Sequence, residues 1–233
     1  MATVRKNQAN LTAQEWQALI AAMSGLRGMG TPTPRYGGFV DVHVRAMSMG
    51  GMSWGVHTMP QMGVVGRNFL AWHRRYILRF EQQLQRIDPA VSLPYWNPIT
   101  HPQIPAPLDT AAFIANWGLI RNWDPSFLPT AADFAGVNAR TTFAAFQPAL
   151  ERFHGGVHVA VGGTTGQMGG TNSPADPVFW LHHSNIDRIW AQWQQGHPNQ
   201  NPSNPNEVLK PSPIIQGKVK DYLKISTLGY SYA

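Results

Sequence analysis

The stretch Asp176-Pro-Val-Phe-Trp-Leu-His182-His183-Ser-Asn-Ile-Asp187-Arg-Ile-Trp190 decides how the rest of the chain is read. Phe179, His183, Ile186, Trp190 and Trp193 recur at steps of three and four, the apolar stripe of an amphipathic helix. Asp176 stands where a cap belongs, Pro177 suits the first turn, and Gly196 followed by Pro198 stops the element. His183 therefore shares a buried stripe with aromatic residues.

Working outward, the same arrangement returns upstream. Phe69, His73, Tyr76, Phe80, Leu84 and Ile87 predict a long helix from Arg67 to Ile87, ended by Asp88-Pro89, with a histidine on its inner face. Phe39, His43, Ala46 and Met47 predict a shorter helix of the same kind. Thr12 and Glu15 have the spacing of a capping box, and Trp16, Leu19, Ile20 and Met23 extend it into a first helix over 12–24, broken by Gly25–Pro34. Gly50–Gly66, rich in Gly and Met, reads as a loop carrying His57. Leu93–Leu108, with five prolines, reads as an irregular but ordered connection that buries Tyr95 and Trp96. Residues 110–116 and 141–152 predict shorter helices, the second interrupted by Pro148. Seven glycines between Gly155 and Gly170 read as a flexible stretch, and the tail from Asn199 is rich in Pro and Asn. The sum is a mainly α fold: one domain over 1–233, an antiparallel four-helix bundle with long irregular loops and few short strands.

Composition narrows the chemistry. A chain of 233 residues that is 43% hydrophobic can bury a core unaided. No apolar run approaches the ~20 residues that span a bilayer, and Met1–Asn10 is polar, so a soluble, cytoplasmic protein without a visible signal peptide is expected. The net charge of +6 is spread along the chain, with Arg5-Lys6 and Arg74-Arg75 as the only adjacent basic pairs, which argues against a nucleic-acid surface. With no cysteine, a metal can be held only by His, Asp, Glu or Met. Nine histidines against twelve carboxylates favour imidazole.

The histidines fall into two clusters: His43, His57 and His73, then His154, His158 and the pair His182-His183. A lone histidine on an apolar face is more often a hydrogen-bonded core residue than a ligand. Several on separate inward stripes are not explained that way, because burying unpaired imidazoles costs free energy that a metal returns. His154 and His158, four apart, reach one ion from one helix face. A zinc hydrolase of the His-Glu-x-x-His type needs a carboxylate after the first ligand, where Gly155 stands. All-imidazole ligation by two facing trios suits copper.

With Phe69-Leu-Ala-Trp-His73-Arg74-Arg75-Tyr76, His154-Gly-Gly-Val-His158 and Leu93-Pro-Tyr-Trp96 set beside the opening stretch, the chain from Tyr36 to Trp193 resembles the type 3 copper proteins, in particular bacterial tyrosinases and the related catechol oxidases (polyphenol oxidases). The resemblance implies two copper ions, one on His43, His57 and His73, the other on His154, His158 and His183, with His182 structural. His57 precedes His73 by more than in many relatives, which makes Met59–Gly66 an insertion.

It also implies oxidation of o-diphenols to o-quinones with O2 as co-substrate, and ortho-hydroxylation of monophenols such as tyrosine. Phe179 would buttress the ligands, Glu151 would order a water and handle a proton near the second copper, Asp187 would be a structural anchor, and Met168 in the Gly162–Ser173 loop would gate the pocket. Active monophenol hydroxylases of this family often carry asparagine directly after the first ligand of the second copper. Gly155 in that place predicts weaker hydroxylation. The partners implied are a small phenol and a separate copper-delivery protein, with neither nucleic acid nor membrane. The alternatives are a haemocyanin-like oxygen carrier, for which the forty-odd residues after Trp193 offer too little chain to cover the site, and the zinc hydrolase; the same shortness predicts no covalent pro-domain.

Overall fold

The capping box at Thr12 forms as its spacing predicts. Glu15 N donates to Thr12 Oγ1 at 3.2 Å, Thr12 N donates to Glu15 Oε2 at 2.8 Å, and helix α1 runs Ala13–Gly25. The computed structural model describes residues 3–28 and 33–233, so part of the expected break at Gly25–Pro34 lies outside the described residues, as do Met1 and Ala2. Helix α2 spans Tyr36–Met47 and α3 spans Phe69–Gln85, and both turn the predicted stripes inward. Ile87 departs from its stripe: it lies past the end of α3 and is 36% exposed.

Between them, the loop with His57 is tightened by short 3-10 turns at Met52–Trp54 and Pro60–Met62. After α3 the proline-rich connection buries Tyr95 and Trp96 as expected. Helix α4, Ala111–Trp117, is capped by Thr110. Helix α5, Ala131–Asn138, is absent from the sequence expectation, although Thr130 and Asp133 form a second capping box that announces it.

The largest departure is α6. It runs unbroken over Phe143–Gly162, through Pro148 and through Gly155 and Gly156. An internal proline removes one helix bond, a cost of ~3 kcal/mol. Burial of the helix's inner face offsets it: Phe146 stacks on Trp193 with centroids 4.2 Å apart, and Leu150 and Val157 are fully buried. Two of the helix's glycines allow close approach, while a Cβ on Gly155 would meet nothing within 4 Å. A Cβ on Gly156 would stand 2.8 Å from Phe127 O, and one on Gly162 would stand 2.0 Å from Gly169 N. The second half of the glycine stretch is thus packed loop against helix.

Helix α7, Val178–Gly196, follows. Asp176 Oδ1 accepts from Val178 N at 3.0 Å and also binds Arg121, so the expected cap sits one residue before the N-cap position, Pro177, and holds a cation as well. Helices α3 and α7 pack together and α6 packs on both. Helix α2 closes the bundle: Phe39 meets Phe80 and Trp180 edge-on, and Tyr76 Oη donates to Phe39 O at 2.6 Å.

The only named strands among the described residues are β1, Thr3–Arg5, and β2, Tyr230–Tyr232, paired in parallel with Thr3 opposite Tyr230. Behind them Asp187 is an anchor, as expected. It takes Arg74 Nε, Arg5 Nη1 at 3.4 Å, and the hydroxyls of Tyr230 and Tyr232 at 2.6 Å each. No helix of the described residues is long and apolar enough to cross a membrane.

Candidate metal centre

Helix α2 supplies His43, α3 supplies His73, and the intervening loop supplies His57; the three offer ring nitrogens within 4.8 Å of one another. Helix α6 supplies His154 and His158, and α7 supplies His182 and His183, a second group within the same limit. Six of the seven are buried, and His158 is partly exposed. The two groups meet in the core: His73 stacks on His183 with centroids 4.3 Å apart, and His57 lies 6.1 Å from His154.

Backbone carbonyls fix four of the rings. Nδ1 of His43 donates to Thr171 O at 2.7 Å, His73 to Phe69 O at 2.8 Å, His154 to Glu151 O at 3.2 Å and His158 to Met168 O at 2.6 Å. A carbonyl only accepts, so each of these Nδ1 atoms carries the proton and each Nε2 is a bare lone pair. Burial holds all the rings neutral. It pushes His43 and His158 down to about 4 against the pull of their carbonyl partners. Burial, reinforced by facing imidazoles, holds His57, His73, His154 and His183 well below the usual histidine range.

The ring nitrogens converge. His57 Nε2 is 3.3 Å from His43 Nε2; His183 Nε2 is 3.2 Å from His154 Nε2 and 3.4 Å from His158 Nε2. Imidazoles bound to one tetrahedral ion at ~2.0 Å hold their nitrogens about 3.3 Å apart. His73 Nε2 is buried without any hydrogen-bond partner. Nε2 is a bare lone pair on His43, His73, His154 and His158, and a cation in each trio would join these to the rings of His57 and His183. The donor set therefore fits one metal ion per trio, with nitrogen-only ligation.

His182 offers a fourth nitrogen within the same 4.8 Å limit, but it is His183 that brings its Nε2 to 3.2 and 3.4 Å from those of His154 and His158. Its ring stacks on His154 at 5.1 Å, and the His154 backbone is a polar partner of the ring. Phe179 touches both groups, with centroids 4.0 Å from His183, 5.3 Å from His43 and 5.9 Å from His158. Met168 is buried and meets the site through its carbonyl on His158. Glu151 faces the first group: its carboxylate binds Thr58, and Oε1 lies 4.0 Å from His57 Nδ1. Burial, outweighing those bonds, raises its carboxyl above the ordinary glutamate range. His101 and His197 belong to neither group; His197 stacks on Trp193.

Sequence reasoning missed the carbonyl anchors. Phe69 O is one helical turn before His73 and follows from helix phase. Thr171 O and Met168 O come from a loop whose path no periodicity encodes.

Such a bundle, with paired histidine trios inside it, defines a class: helical proteins that hold two metal ions side by side. The common central domain of tyrosinase matches residues 33–126 and 119–196 of this chain. A tyrosinase of Streptomyces antibioticus is 34% identical over 90% of this chain and 92% of its own length. The grixazone synthase of Streptomyces griseus is 29% identical over 85% of this chain and 86% of its own. Among solved structures, a polyphenol oxidase from Thermothelomyces thermophila is similar in fold, with a TM-score of 0.76 at 17% identity over all of this chain and 89% of that one. A functional unit of octopus hemocyanin gives 0.79 at 24% identity, covering 99% of this chain and 68% of that one. The chain belongs to the tyrosinase family, copper oxidases that work with two copper ions held by histidines.

Proposed function

We propose that this chain oxidises o-diphenols to o-quinones with dioxygen, and hydroxylates monophenols such as tyrosine more weakly. The observation that carries the reading is the convergence of imidazole ring nitrogens in two touching trios. His43, His57 and His73 would hold one copper and His154, His158 and His183 the other. When bound, the two coppers supply the electron exchange that couples reduction of dioxygen to oxidation of the phenol.

The chain's own residues set the conditions. Burial keeps every ligand ring neutral at physiological pH, with one ring nitrogen free to ligate. Phe179 packs against rings of both trios and excludes water between them. His158 is the one partly exposed histidine of the two groups, and Gly155 beside His154 is partly exposed too, which favours substrate approach from that side. Gly155 offers no amide to hold a water that would take a phenol's proton. A diphenol, more acidic and already carrying both oxygens, needs that help least. The partners of this reading are a small phenol and a separate copper-delivery protein, since the ligand nitrogens lie inside a packed core.

The test is to load the purified chain with copper, count the metal, and follow oxygen uptake with catechol and with tyrosine. Two coppers per chain and faster uptake with catechol are expected. Zinc retained in place of copper, with no uptake on either substrate, overturns the proposal.

A further inference from the structure

Glu151 serves both trios from one position on α6. Its carbonyl accepts from His154 Nδ1 at 3.2 Å, and its carboxylate faces His57 Nδ1 at 4.0 Å. The same carboxylate grips the loop that carries His57. Thr58 N donates to Oε1 at 2.6 Å, Thr58 Oγ1 donates to Oε2 at 2.7 Å, and Gly66 N donates to Thr58 Oγ1 at 3.0 Å. One turn earlier on α6, Gln147 Nε2 donates to Gly66 O at 3.0 Å and to Arg67 O at 3.2 Å. The middle of the loop, at Thr58, and its C-terminal end, at Gly66 and Arg67, are thus held on α6, and the fit is close: a Cβ on Gly66 would stand 2.8 Å from Glu151 Oε2.

His57 needs such a hold. His43, His73, His154 and His158 have Nδ1 anchored on carbonyls, and five of the six proposed ligands ride on helices. His57 rides on a loop, and the acceptor facing its Nδ1 is a side-chain carboxylate. A ring movement of about 1 Å brings that contact to hydrogen-bond length. A carboxylate behind a ligating imidazole fixes its tautomer and orientation, and losing such a partner typically costs 10–100-fold in metal affinity.

We propose that Glu151 is the positioning residue of the first trio: its carboxylate clamps Thr58 and accepts a hydrogen bond from His57 Nδ1–H, which fixes the ring's tautomer and aims Nε2 at the ion shared with His43 and His73. This rests on the reading of the two trios as copper sites.

The clamp separates the trios in a way that can be measured. Glu151→Gln keeps the carbonyl that serves His154 but places an amide against two donors of Thr58 and His57. In chelator competition with copper alone, Glu151→Gln should lose one copper 10–100-fold more readily than the unsubstituted chain and keep the other unchanged. Thr58→Val, which leaves the carboxylate, should show the same selectivity to a smaller degree. In the metal-free protein the amide of Thr58 should exchange at least tenfold faster in Glu151→Gln, with circular dichroism unchanged.

Unchanged affinity for both coppers overturns the proposal, whatever the amide does. So does equal weakening of both coppers in Thr58→Val, which would mark general damage to α6. If the unsubstituted chain takes up no copper, the functional reading itself fails. The clamp is then judged on the metal-free protein, where an unaltered Thr58 amide overturns it and faster exchange upholds the hold on the loop.

Discussion

His73 of α3 lies flat against His183 of α7, with ring centroids 4.3 Å apart and planes 18° from parallel. The packing of α3 on α7 thus brings a member of one trio into contact with a member of the other. The distance between the two metal positions is a property of that helix pair, which is why their aromatic stripes are so large: Trp72, Tyr76, Phe80, Trp180 and Trp190 are all fully buried.

The adjacent histidines of α7 should behave in opposite ways. His183 Nε2 lies 3.2 and 3.4 Å from His154 and His158 Nε2, whereas His182 makes no such approach and meets the His154 backbone. His183→Ala should lower copper content to one per chain or less and bring oxygen uptake to background. His182→Leu removes a buried ring outside the trio at similar volume, so it should keep two coppers and cost about 1–3 kcal/mol in urea melts. Loss of copper from His182→Leu would move the ligand assignment to the other ring.

Gly155 and Gly156 are neighbours with different constraints. A Cβ on Gly155 meets nothing within 4 Å, while one on Gly156 would stand 2.8 Å from Phe127 O. Gly155→Asn should therefore fold at least as well as the original chain, since Asn is the better helix former by a few tenths of a kcal/mol. It should also raise the ratio of tyrosine to catechol turnover severalfold. Gly156→Ala should cost about 1–3 kcal/mol through displacement of the Phe127 backbone. An unchanged ratio in Gly155→Asn would show that the residue after His154 does not govern hydroxylation here.

The elements that carry chemistry were the legible ones. His43, His73 and His183 sit on stripes of period 3.6, so their inward direction followed from helix phase and the aromatic residues beside them. The glycines after His154 misled, because glycine marks both flexible chain and tight approach, and only the neighbours of Gly156 and Gly162 distinguish the two. His57 was the hardest to place. Its position depends on a loop held by Glu151 and Gln147 across long sequence separations, and such contacts leave no local pattern.

Met168 shows how a residue can serve a site without its side chain. The thioether is buried, and the carbonyl fixes His158 at 2.6 Å. Met168→Leu, a volume-conserving change, should cost under about 1.5 kcal/mol and leave copper content and catechol KM unchanged. A KM shifted several-fold with kcat intact would instead assign the side chain to the substrate pocket as a gate.

Asp187 links the termini to α3 and α7 and makes a pH-dependent prediction. Burial raises its carboxyl, but Arg74, Arg5 and the two tyrosine hydroxyls outweigh burial and leave it below the ordinary aspartate value. A group depressed in the folded state binds its proton more readily unfolded. Its contribution is therefore complete above the unfolded value of ~3.9 and is lost as pH falls through the lower folded value. Asp187→Asn leaves Arg5 and Arg74 buried without their shared carboxylate and should cost about 3–5 kcal/mol at pH 7. Urea melts of the metal-free proteins should show that gap shrinking below about pH 4, where the original chain loses the same ion pairs by protonation. A gap that stays constant down to pH 3 would mean that Asp187 acts through its hydrogen-bond geometry and not through its charge.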